Sequence, residues 1–353
     1  MDLSFLLLAI IGRLDGERSI YAGLHLFRGK RSGQTLQDVE YYSLKEFFCI
    51  LPKLHINLYD QAVLELKKAE YISIDKDSVV HITKAGRDKL RTLPSYRFNG
   101  WDYRGREHIF FSRLSLVVQT LSNFKVGEKS FLPLQKDDEI QLFVKKILYG
   151  QPISNPTFAR QLREELHRVI DKSGMRDVQK IIMTHRLVGY ECTGWTWDQL
   201  AEKLNMNSLT IRLYFIESLH ILLESLERSS DTWFLQKMTE DIKVSTYLTD
   251  SSRKTKFFFD RGMSMDAIAA ARGLKMSTIE DHFVEMSINE PNFPVEQFVS
   301  KRDMEAVIAK SNEIGSKRLR LLKNEFMGLS YFQLRLILGT QSRGEMKWTS
   351  KQY

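Results

Sequence analysis

The sequence has few of the residues that mark secreted, fibrous or disordered proteins. Its 353 residues include only two cysteines, Cys49 and Cys192, which lie too far apart to match a metal-binding or redox motif. A disulfide scaffold is therefore excluded, and a reducing compartment, the cytoplasm, is expected. Seven prolines and 19 glycines are too few for a fibrous or disordered chain. We expect a globular protein of two or three domains.

A long apolar run is also missing. The N-terminal run from Phe5 to Ile11 is far shorter than the roughly 20 residues that span a bilayer. Asp2 precedes this run where a signal peptide needs a basic residue, and no small-residue cleavage site follows it. We therefore expect a buried first helix and no membrane partner.

Motifs for catalysis or cofactor binding are missing as well. The segment from Gly23 to Arg31 has one residue too many for a phosphate-binding loop and lacks a Ser or Thr directly after Lys30. None of the eight histidines falls in a zinc-ligand spacing, and no Gly-x-Ser-x-Gly elbow occurs. We expect no enzymatic activity, no catalytic residues, no metal, no cofactor and no small-molecule substrate.

A pattern of helix, hairpin and helix closes the first 95 residues. Residues 56–69 have the periodicity of an amphipathic helix. Tyr71–Asp75 and Val79–Thr83 then alternate as two short strands, and Lys84–Leu90 returns to helix. This order, with a Thr-x-x-Gly-x-x-x-Leu phrase that begins at Thr83, resembles the wing end of winged-helix domains. Such wings contact DNA phosphates in some proteins and only protein in others.

The stretch from Lys84 to Lys129 is basic and rich in aromatic residues. It holds ten Lys or Arg and four Asp or Glu, a net charge of +6, where the whole chain has +8. Cations neutralise phosphates and aromatic rings stack on bases, so this composition fits a single-stranded nucleic acid. The alternative is a connector whose aromatic side chains belong to a core. The aromatic residues are Tyr96, Phe98, Trp101, Tyr103, Phe110 and Phe111.

One phrase occurs three times in the second half of the chain. Each copy has a glycine, an apolar residue, a Ser or Thr, and an apolar helix start. Thr196 with Gln199, and Ser330 with Gln333, also complete the capping-box pattern. The first two copies continue in step at an offset of 68 residues, whereas the third stops at Gly339. The three copies are Gly194–Ala201, Gly262–Ala269 and Gly328–Arg335.

The two longer copies follow the steric pattern of a helix-turn-helix. Ala201 and Ala269 are small enough to let two helices cross closely, and Asn205 and Gly273 tolerate a positive φ at the turn. Asn207 can cap the second helix of the first copy. We therefore predict two helix-turn-helix units, with the third copy at best half a unit.

Four segments of the C-terminal part carry a family resemblance: Phe257–Ser264, Ile268–Leu274, Ser277–Phe283 and Leu329–Leu336. With them, residues 254–339 resemble the helicase-type helix-turn-helix family, which commonly forms the C-terminal end of RecQ-type DNA helicases. The order of parts along the whole chain resembles the YpbB-like proteins of low-GC Gram-positive bacteria. The resemblance implies a free-standing companion of a RecQ-type helicase that is active on DNA.

The predicted second helices depart from the usual pattern of a DNA-reading helix. Lys275 takes the capping position, where most helix-turn-helix proteins have Ser or Asn, and the carboxylates of Glu280, Asp281 and Glu285 would repel phosphates. The second helix of the earlier unit is apolar on most sides, which is typical of a helix packed on protein. Contacts to DNA or a partner are predicted at Lys275, Ser277, Thr278, His282, Asn207, Ser208 and Arg212.

Positive charge is concentrated instead at the C-terminal end. Residues 301–353 hold eleven Lys or Arg and five Asp or Glu, a net charge of +6. Lys317, Arg320 and Lys323 recur at three-residue spacing and could share one helix face. They either contact phosphate or form a solvated face. Phosphate contacts are predicted at Lys317, Arg318, Arg320, Lys323, Arg335, Arg343 and Lys347.

The predicted fold is mainly α, with a winged-helix-like N-terminal domain that carries a small β-hairpin, then a helical connector and tandem helix-turn-helix units. The predicted function is DNA binding as an accessory to a RecQ-type helicase in repair or recombination. The alternatives are an adaptor whose helix-turn-helix units bind protein, and a transcription regulator. The predicted domains are 1–95 (winged-helix-like), 96–175 (basic and aromatic segment with connector), 176–228 (first helix-turn-helix), 229–250 (linker) and 251–345 (helicase-type helix-turn-helix).

Overall fold

The computed structural model describes residues 1–244, 247–290 and 292–349, and side chains as far as residue 340. Within these ranges the chain is mainly helical with a single two-stranded sheet, as predicted, and no helix is long and apolar enough to cross a membrane. The N-terminal elements are α1 (Leu3–Leu14), α2 (Ala22–Arg28), α3 (Gly33–Tyr41), α4 (Ile56–Lys68), β1 (Ile72–Ile74), β2 (Val80–Ile82) and α5 (Lys84–Arg91). The middle elements are α6 (Gly100–Tyr103), α7 (Glu107–Lys125), α8 (Asp138–Leu148), α9 (Pro156–Lys172), α10 (Asp177–His185), α11 (Trp197–Leu204), α12 (Ser208–Arg228) and α13 (Trp233–Lys237). The C-terminal elements are α14 (Asp250–Phe259), α15 (Met265–Arg272), α16 (Met276–Asn289), α17 (Lys301–Ile314), α18 (Leu319–Glu325) and α19 (Tyr331–Thr349).

The chain forms two compact units, and each takes segments from separate parts of the sequence. The first unit comprises Met1–Leu7, Cys49–Val63 and Thr92–Ser245. The second unit comprises Leu8–Phe48, Leu64–Arg91 and Thr246–Tyr353. The predicted domains were continuous stretches of chain, and their boundaries stay a prediction.

Helix α12 is the central element of the first unit. It packs against α7, α9, α10 and α11, and its side chains Ile211, Leu222 and Leu226 are fully buried. The expectation that this apolar helix packs on protein is therefore confirmed. The same core contains Tyr103 and Phe110, from the basic and aromatic stretch. Phe98, Trp101 and Phe111 are buried as well, so the connector alternative describes these rings better than base stacking does.

The predicted hairpin lies in the second unit. β1 and β2 are antiparallel, with Ile72 opposite Ile82 and Ile74 opposite Val80. Helix α5 follows directly after β2. The hydroxyl of Thr83 donates to the carbonyl of Glu70 at 2.7 Å and accepts from the Gly86 N–H at 3.0 Å, so Thr83 ties the hairpin to the start of α5.

Gly86 shows why the Thr-x-x-Gly phrase needs glycine. A Cβ at this position would lie 2.1 Å from the carbonyl oxygen of Tyr71 and 2.8 Å from Cγ1 of Ile82. The first of these atoms belongs to the backbone and can move only with the hairpin. The helix and the strand therefore approach closely because Gly86 has no side chain.

We expect Gly86→Ala to lower the free energy of unfolding by about 2 kcal/mol, because the added methyl group forces the Tyr71 carbonyl away from α5. Urea unfolding followed by circular dichroism measures the change. Gly328→Ala is the matched control, since a Cβ there meets no atom within 4 Å. Equal stability of the two variants would contradict the steric explanation.

Helices α3, α16 and α19 pack together in the second unit. α19 begins at the predicted capping box, since the Ser330 N–H donates to Oε1 of Gln333 at 2.8 Å and the Gln333 N–H donates to Ser330 Oγ at 3.1 Å. No turn follows this copy at Gly339, because α19 continues as one helix to Thr349, and that the copy is at best half a helix-turn-helix stays a prediction. A Cβ on Gly339 would lie 2.8 Å from Oγ of Ser287 and 3.1 Å from Cγ1 of Ile288. The glycine therefore permits close packing of α19 on α16 instead of ending a helix.

Candidate nucleic-acid interface

The C-terminal helix-turn-helix consists of α15, a glycine turn and α16. Ser264 caps α15 by accepting the Ala267 N–H, and Gly273 ends that helix in the left-handed region with φ 60°. Ile268, Ile279 and Phe283 are fully buried where the two helices meet. The predicted turn chemistry is therefore present, and it sets the start of α16 at Lys275 and Met276.

The earlier helix-turn-helix has the same local design in the first unit. Thr196 and Gln199 form the predicted capping box at the start of α11, and Asn205 adopts φ 50° at the turn. Oδ1 of Asn207 accepts the Thr210 N–H at 2.7 Å, so this side chain caps α12. Its amide oxygen is consequently engaged within the protein. Ser208 is half-buried at the first position of α12.

Arg212, like the capping residue Asn207, is exposed, whereas Ser208 is half-buried. Its guanidinium lies 5.5 Å from the ring centroid of Trp197, and the guanidinium of Arg186 lies 4.2 Å from the same centroid. Burial and the charge of Arg212 lower the pKa of Arg186. Arg212 thus contributes positive charge at the surface of this unit while its side chain stacks on an indole ring.

Helix α16 is covered along most of its length. It packs against α14, α15, α19 and α3, all of them in the second unit. Every residue from His282 to Ile288 is buried. A recognition helix normally reads DNA by inserting an exposed face into the major groove. In this protein only the N-terminal turn of α16 retains such exposure, at Lys275 and Ser277, with Thr278 half-buried beside them.

His282 was predicted to contact DNA or a partner, and its position corrects that expectation. The side chain is buried, and its Nδ1 lies 2.8 Å from the hydroxyl of Thr255. Burial, followed by the charge of Arg272, lowers the pKa of His282, so the neutral ring is favoured at pH 7. The ring is a packing and hydrogen-bonding element of the unit, because the residues that cover α16 separate it from solvent.

Two of the three carboxylates on α16 have partners inside the second unit. Glu285 is buried and accepts hydrogen bonds from the Thr249 N–H, the Thr249 hydroxyl at 3.0 Å and the Ser252 hydroxyl, at the start of α14. Asp281 forms an ion pair with Arg335 of α19. These carboxylates therefore hold helices together, and their repulsion of phosphate stays a prediction.

Three of the cations predicted to contact phosphate are engaged with the protein itself. Arg335 pairs with Asp281 and is 17% exposed. Nζ of Lys317 donates to the carbonyl of Tyr41 at 2.7 Å. Nζ of Lys323 donates to the carbonyls of Met327 at 2.8 Å and Leu329 at 2.5 Å. These contacts use charge that the sequence analysis had assigned to DNA.

Lys317, Arg320 and Lys323 do not share one helix face as predicted. Helix α18 begins at Leu319, so Lys317 precedes the helix on which Arg320 and Lys323 lie. Arg318 is half-buried at the capping position, and Arg320 is exposed. Arg343 and Lys347 fall within α19, but their side chains lie outside the described residues.

Helix α3, which was not predicted to be part of this region, packs against α16 and α19. The Gln37 amide oxygen accepts hydrogen bonds from Nη2 of Arg335 at 2.7 Å and from Nε at 2.9 Å, in the amide orientation that satisfies both of its groups. A Cβ on Gly33 would lie 3.2 Å from Oδ1 of Asp281. Every residue from Thr35 to Tyr41 is buried. Because this stretch is largely polar, its hydropathy gave no sign that it covers α16.

Comparison with known proteins agrees with the architecture. Residues 251–338 match the model of a helix-turn-helix domain family. The chain is 30% identical over 340 residues to Protein YpbB of Bacillus subtilis (strain 168), an alignment that covers 93% of this chain and 94% of that protein. The chain belongs to the YpbB family. No solved structure matches this member of the family. Its helix-turn-helix domain suggests DNA binding.

Proposed function

We propose that this protein binds DNA through backbone phosphates with little sequence preference, and that it acts in the cytoplasm as a non-enzymatic accessory to a RecQ-type helicase in repair or recombination. The observation that carries the DNA-binding part is a helix-turn-helix domain whose second helix exposes only its N-terminal turn. The helicase part rests on the resemblance of residues 254–339 to the domain at the C-terminal end of RecQ-type helicases.

The charge distribution of the second unit supports contact with phosphate. Lys275 and Arg320 are exposed and Arg318 is half-buried, and none of the three forms a salt bridge among the described residues. Cations of this kind neutralise phosphates and release counterions. Base edges, by contrast, are read by side chains along an exposed helix face. The burial of His282 to Ile288 removes that face, so the proposal is sequence-independent binding.

The test is the salt dependence of binding to a random-sequence duplex. Each phosphate contact contributes about −0.9 to the slope of log affinity against log salt. We expect the Lys275→Ala, Arg318→Ala, Arg320→Ala triple variant to flatten that slope by about 2 to 3. The matched control removes three exposed cations of the same unit: Lys254, Lys301 and Arg302.

Two outcomes would contradict this proposal. No binding to duplex at low salt would overturn direct DNA binding. An equal change of slope in the triple variant and its control would overturn the assignment to Lys275, Arg318 and Arg320. The helicase part is tested separately, by measuring the unwinding rate of a purified RecQ-type helicase with and without the full chain; an unchanged rate and no complex on a sizing column would remove the accessory role.

A second candidate function is an adaptor that binds only protein. The observation that favours it is the burial of both second helices, α12 and α16, under other helices of their own units. An adaptor would form a complex with the helicase and show no salt-dependent affinity for DNA. A transcription regulator is less well supported, because it would need an exposed helix face that contacts base edges. Such a regulator would stay bound to one DNA sequence in the presence of random-sequence competitor DNA.

A further inference from the structure

The first unit contains a polar pocket that none of the predicted site residues lines. Its volume is about 380 Å³, within the range of ligand sites. The wall is built from the C-terminal end of α9, the C-terminal end of α12, the segment before α13, and Arg97. Its side chains are mainly cations and hydroxyls, in contrast to the apolar lining of most small-molecule sites.

The charge of the wall favours an anion. Four cations, Arg97, Arg168, Lys172 and Arg228, face one carboxylate, Asp231. The pocket therefore carries a net positive charge in the part of the chain that the structure describes. Phosphate groups are the anions that clustered Arg and Lys side chains with hydroxyl donors recognise best.

The cations differ in how firmly the protein holds them. Nη1 of Arg97 donates to the Ser173 carbonyl at 2.9 Å, and its Nη2 lies 3.3 Å from Oε2 of Glu224, so this guanidinium is fixed on the wall. Arg228 also pairs with Glu224. Arg168 and Lys172 are exposed and make no salt bridge with any described residue. Their charge remains available to a ligand.

The hydroxyl of Thr232 is a second, independent sign of a ligand. Thr232 belongs to the pocket wall and is 2% exposed, and its Oγ1 has no hydrogen-bond partner among the described residues. A buried hydroxyl without a partner is costly, and proteins rarely retain one without a reason. A phosphate oxygen at this wall would accept a hydrogen bond from this hydroxyl.

An exposed aromatic ring directly follows Thr232 in the chain. Trp233 is 53% exposed, and the ammonium of Lys237 lies 4.6 Å from its ring centroid. Exposed rings beside cations form the stacking platforms that single strands use, because every base presents a flat face. The buried rings Phe98, Trp101, Tyr103 and Phe110 cannot serve this purpose.

We propose that this pocket binds a backbone phosphate of a single-stranded nucleic acid, with Arg168, Lys172 and the Thr232 hydroxyl on the phosphate and a neighbouring base on Trp233. The inference rests on the proposed function and adds a single-strand site in the first unit, separate from the duplex contacts assigned to the second. A companion of a helicase meets single strands as the product of unwinding, and this site would hold them.

The experiment measures fluorescence anisotropy of a labelled 20-nucleotide single strand with the full-length protein across a salt series. We expect the Arg168→Ala, Lys172→Ala variant to bind about tenfold more weakly and to flatten the log–log slope by about 1.4, since each single-strand phosphate contributes about 0.7. The matched control is Arg160→Ala, Arg163→Ala, which removes two exposed arginines of the same helix. Equal losses in both variants would overturn the pocket assignment.

Thr232→Val distinguishes a ligand-binding role of this hydroxyl from a purely structural one. Loss of a structural hydroxyl would lower the melting temperature, whereas loss of a ligand contact would lower the affinity for the single strand. Valine has nearly the same shape but no hydroxyl, so it removes the unpaired polar group. We expect weaker single-strand binding together with an unchanged or raised melting temperature. Unchanged binding would overturn the role of Thr232 in the site. If inorganic phosphate displaces the labelled strand at a concentration equal to that of the strand's own phosphates, the pocket is a site for free phosphate. That result would also overturn the proposal.

Duplex binding measured in the same samples separates this inference from the proposed function. If the pocket variants leave single-strand binding intact while duplex binding still depends on Lys275, Arg318 and Arg320, only the pocket is refuted. If duplex binding is absent and single-strand binding depends on Arg168 and Lys172, the duplex contacts are refuted and the pocket stands.

Discussion

Replacing Glu285 with alanine is expected to lower the free energy of unfolding by about 2 to 4 kcal/mol. The carboxylate is 6% exposed and accepts hydrogen bonds from the backbone N–H and hydroxyl of Thr249 and from the hydroxyl of Ser252. Alanine would leave the Thr249 N–H and the Ser252 hydroxyl without this acceptor at the start of α14, whereas the Thr249 hydroxyl can still donate to Oγ of Ser252 at 2.9 Å. It would also remove the negative charge that favours a helix N-terminus. Urea unfolding measures the change.

The Glu285 variant also decides what the carboxylates of α16 do. If the Glu285 carboxylate repels DNA, the alanine variant should bind duplex more tightly. If it holds the start of α14 instead, the variant should be less stable and should not gain affinity for duplex. Glu280→Ala is the control on the same helix, since Glu280 is half-buried and has no salt-bridge partner among the described residues. We expect its stability to stay within about 0.5 kcal/mol of the original. A stable Glu285→Ala protein would refute the capping role.

Replacing Glu217 with alanine is expected to cost the first unit about 2 to 4 kcal/mol. This side chain is 2% exposed on α12 and accepts from the Gln179 amide at 2.7 Å, from the Arg97 N–H at 2.8 Å, and from Arg176. Arg176 is 42% exposed and can turn to water, so most of the cost comes from the other two donors. Gln179 is 1% exposed and would keep an unpaired amide in the core.

Two further variants sharpen the Glu217 prediction. Glu217→Gln keeps the shape and one acceptor oxygen, so its cost should be smaller than that of alanine. Glu202→Ala removes an exposed carboxylate from α11 and should change stability by less than about 0.5 kcal/mol. If all three variants unfold at the same urea concentration, the buried carboxylate does not organise the contacts between α10 and α12.

Local features of this fold were predictable because their causes lie within a few residues. The capping boxes at Thr196 and Ser330 are formed as the sequence implied, and Asn205 and Gly273 adopt the positive φ that a tight turn requires. The hairpin around Lys76 has the expected pairing. In each case the hydrogen-bond partner or the steric demand lies in the same short segment, so one sequence is enough to identify it.

The candidate contact residues were harder to predict, because exposure depends on partners that are distant in sequence. Spacing alone treated Lys317 and Arg335 as free cations, yet Lys317 donates to the Tyr41 carbonyl and Arg335 to the Asp281 carboxylate, both far away in the sequence. Lys323 donates to a carbonyl six residues further on, at Leu329. His282 occupies a position where many second helices face DNA, and here it lies against Thr255. Charge counted along the chain gives the amount of positive charge but not its availability.

The sequence by itself determined the helical class, the hairpin, the helix-turn-helix turns and their caps, since these follow from periodicity and local hydrogen bonding. Only the tertiary structure decided that α3 covers α16, that Glu285 and Asp281 bind other helices, and that Arg168 and Lys172 share a pocket with Thr232. The physical reason is that burial and ion pairing depend on segments that lie far apart in the chain. An amphipathic pattern shows which residues of a helix can be buried, but it does not show which other element covers them.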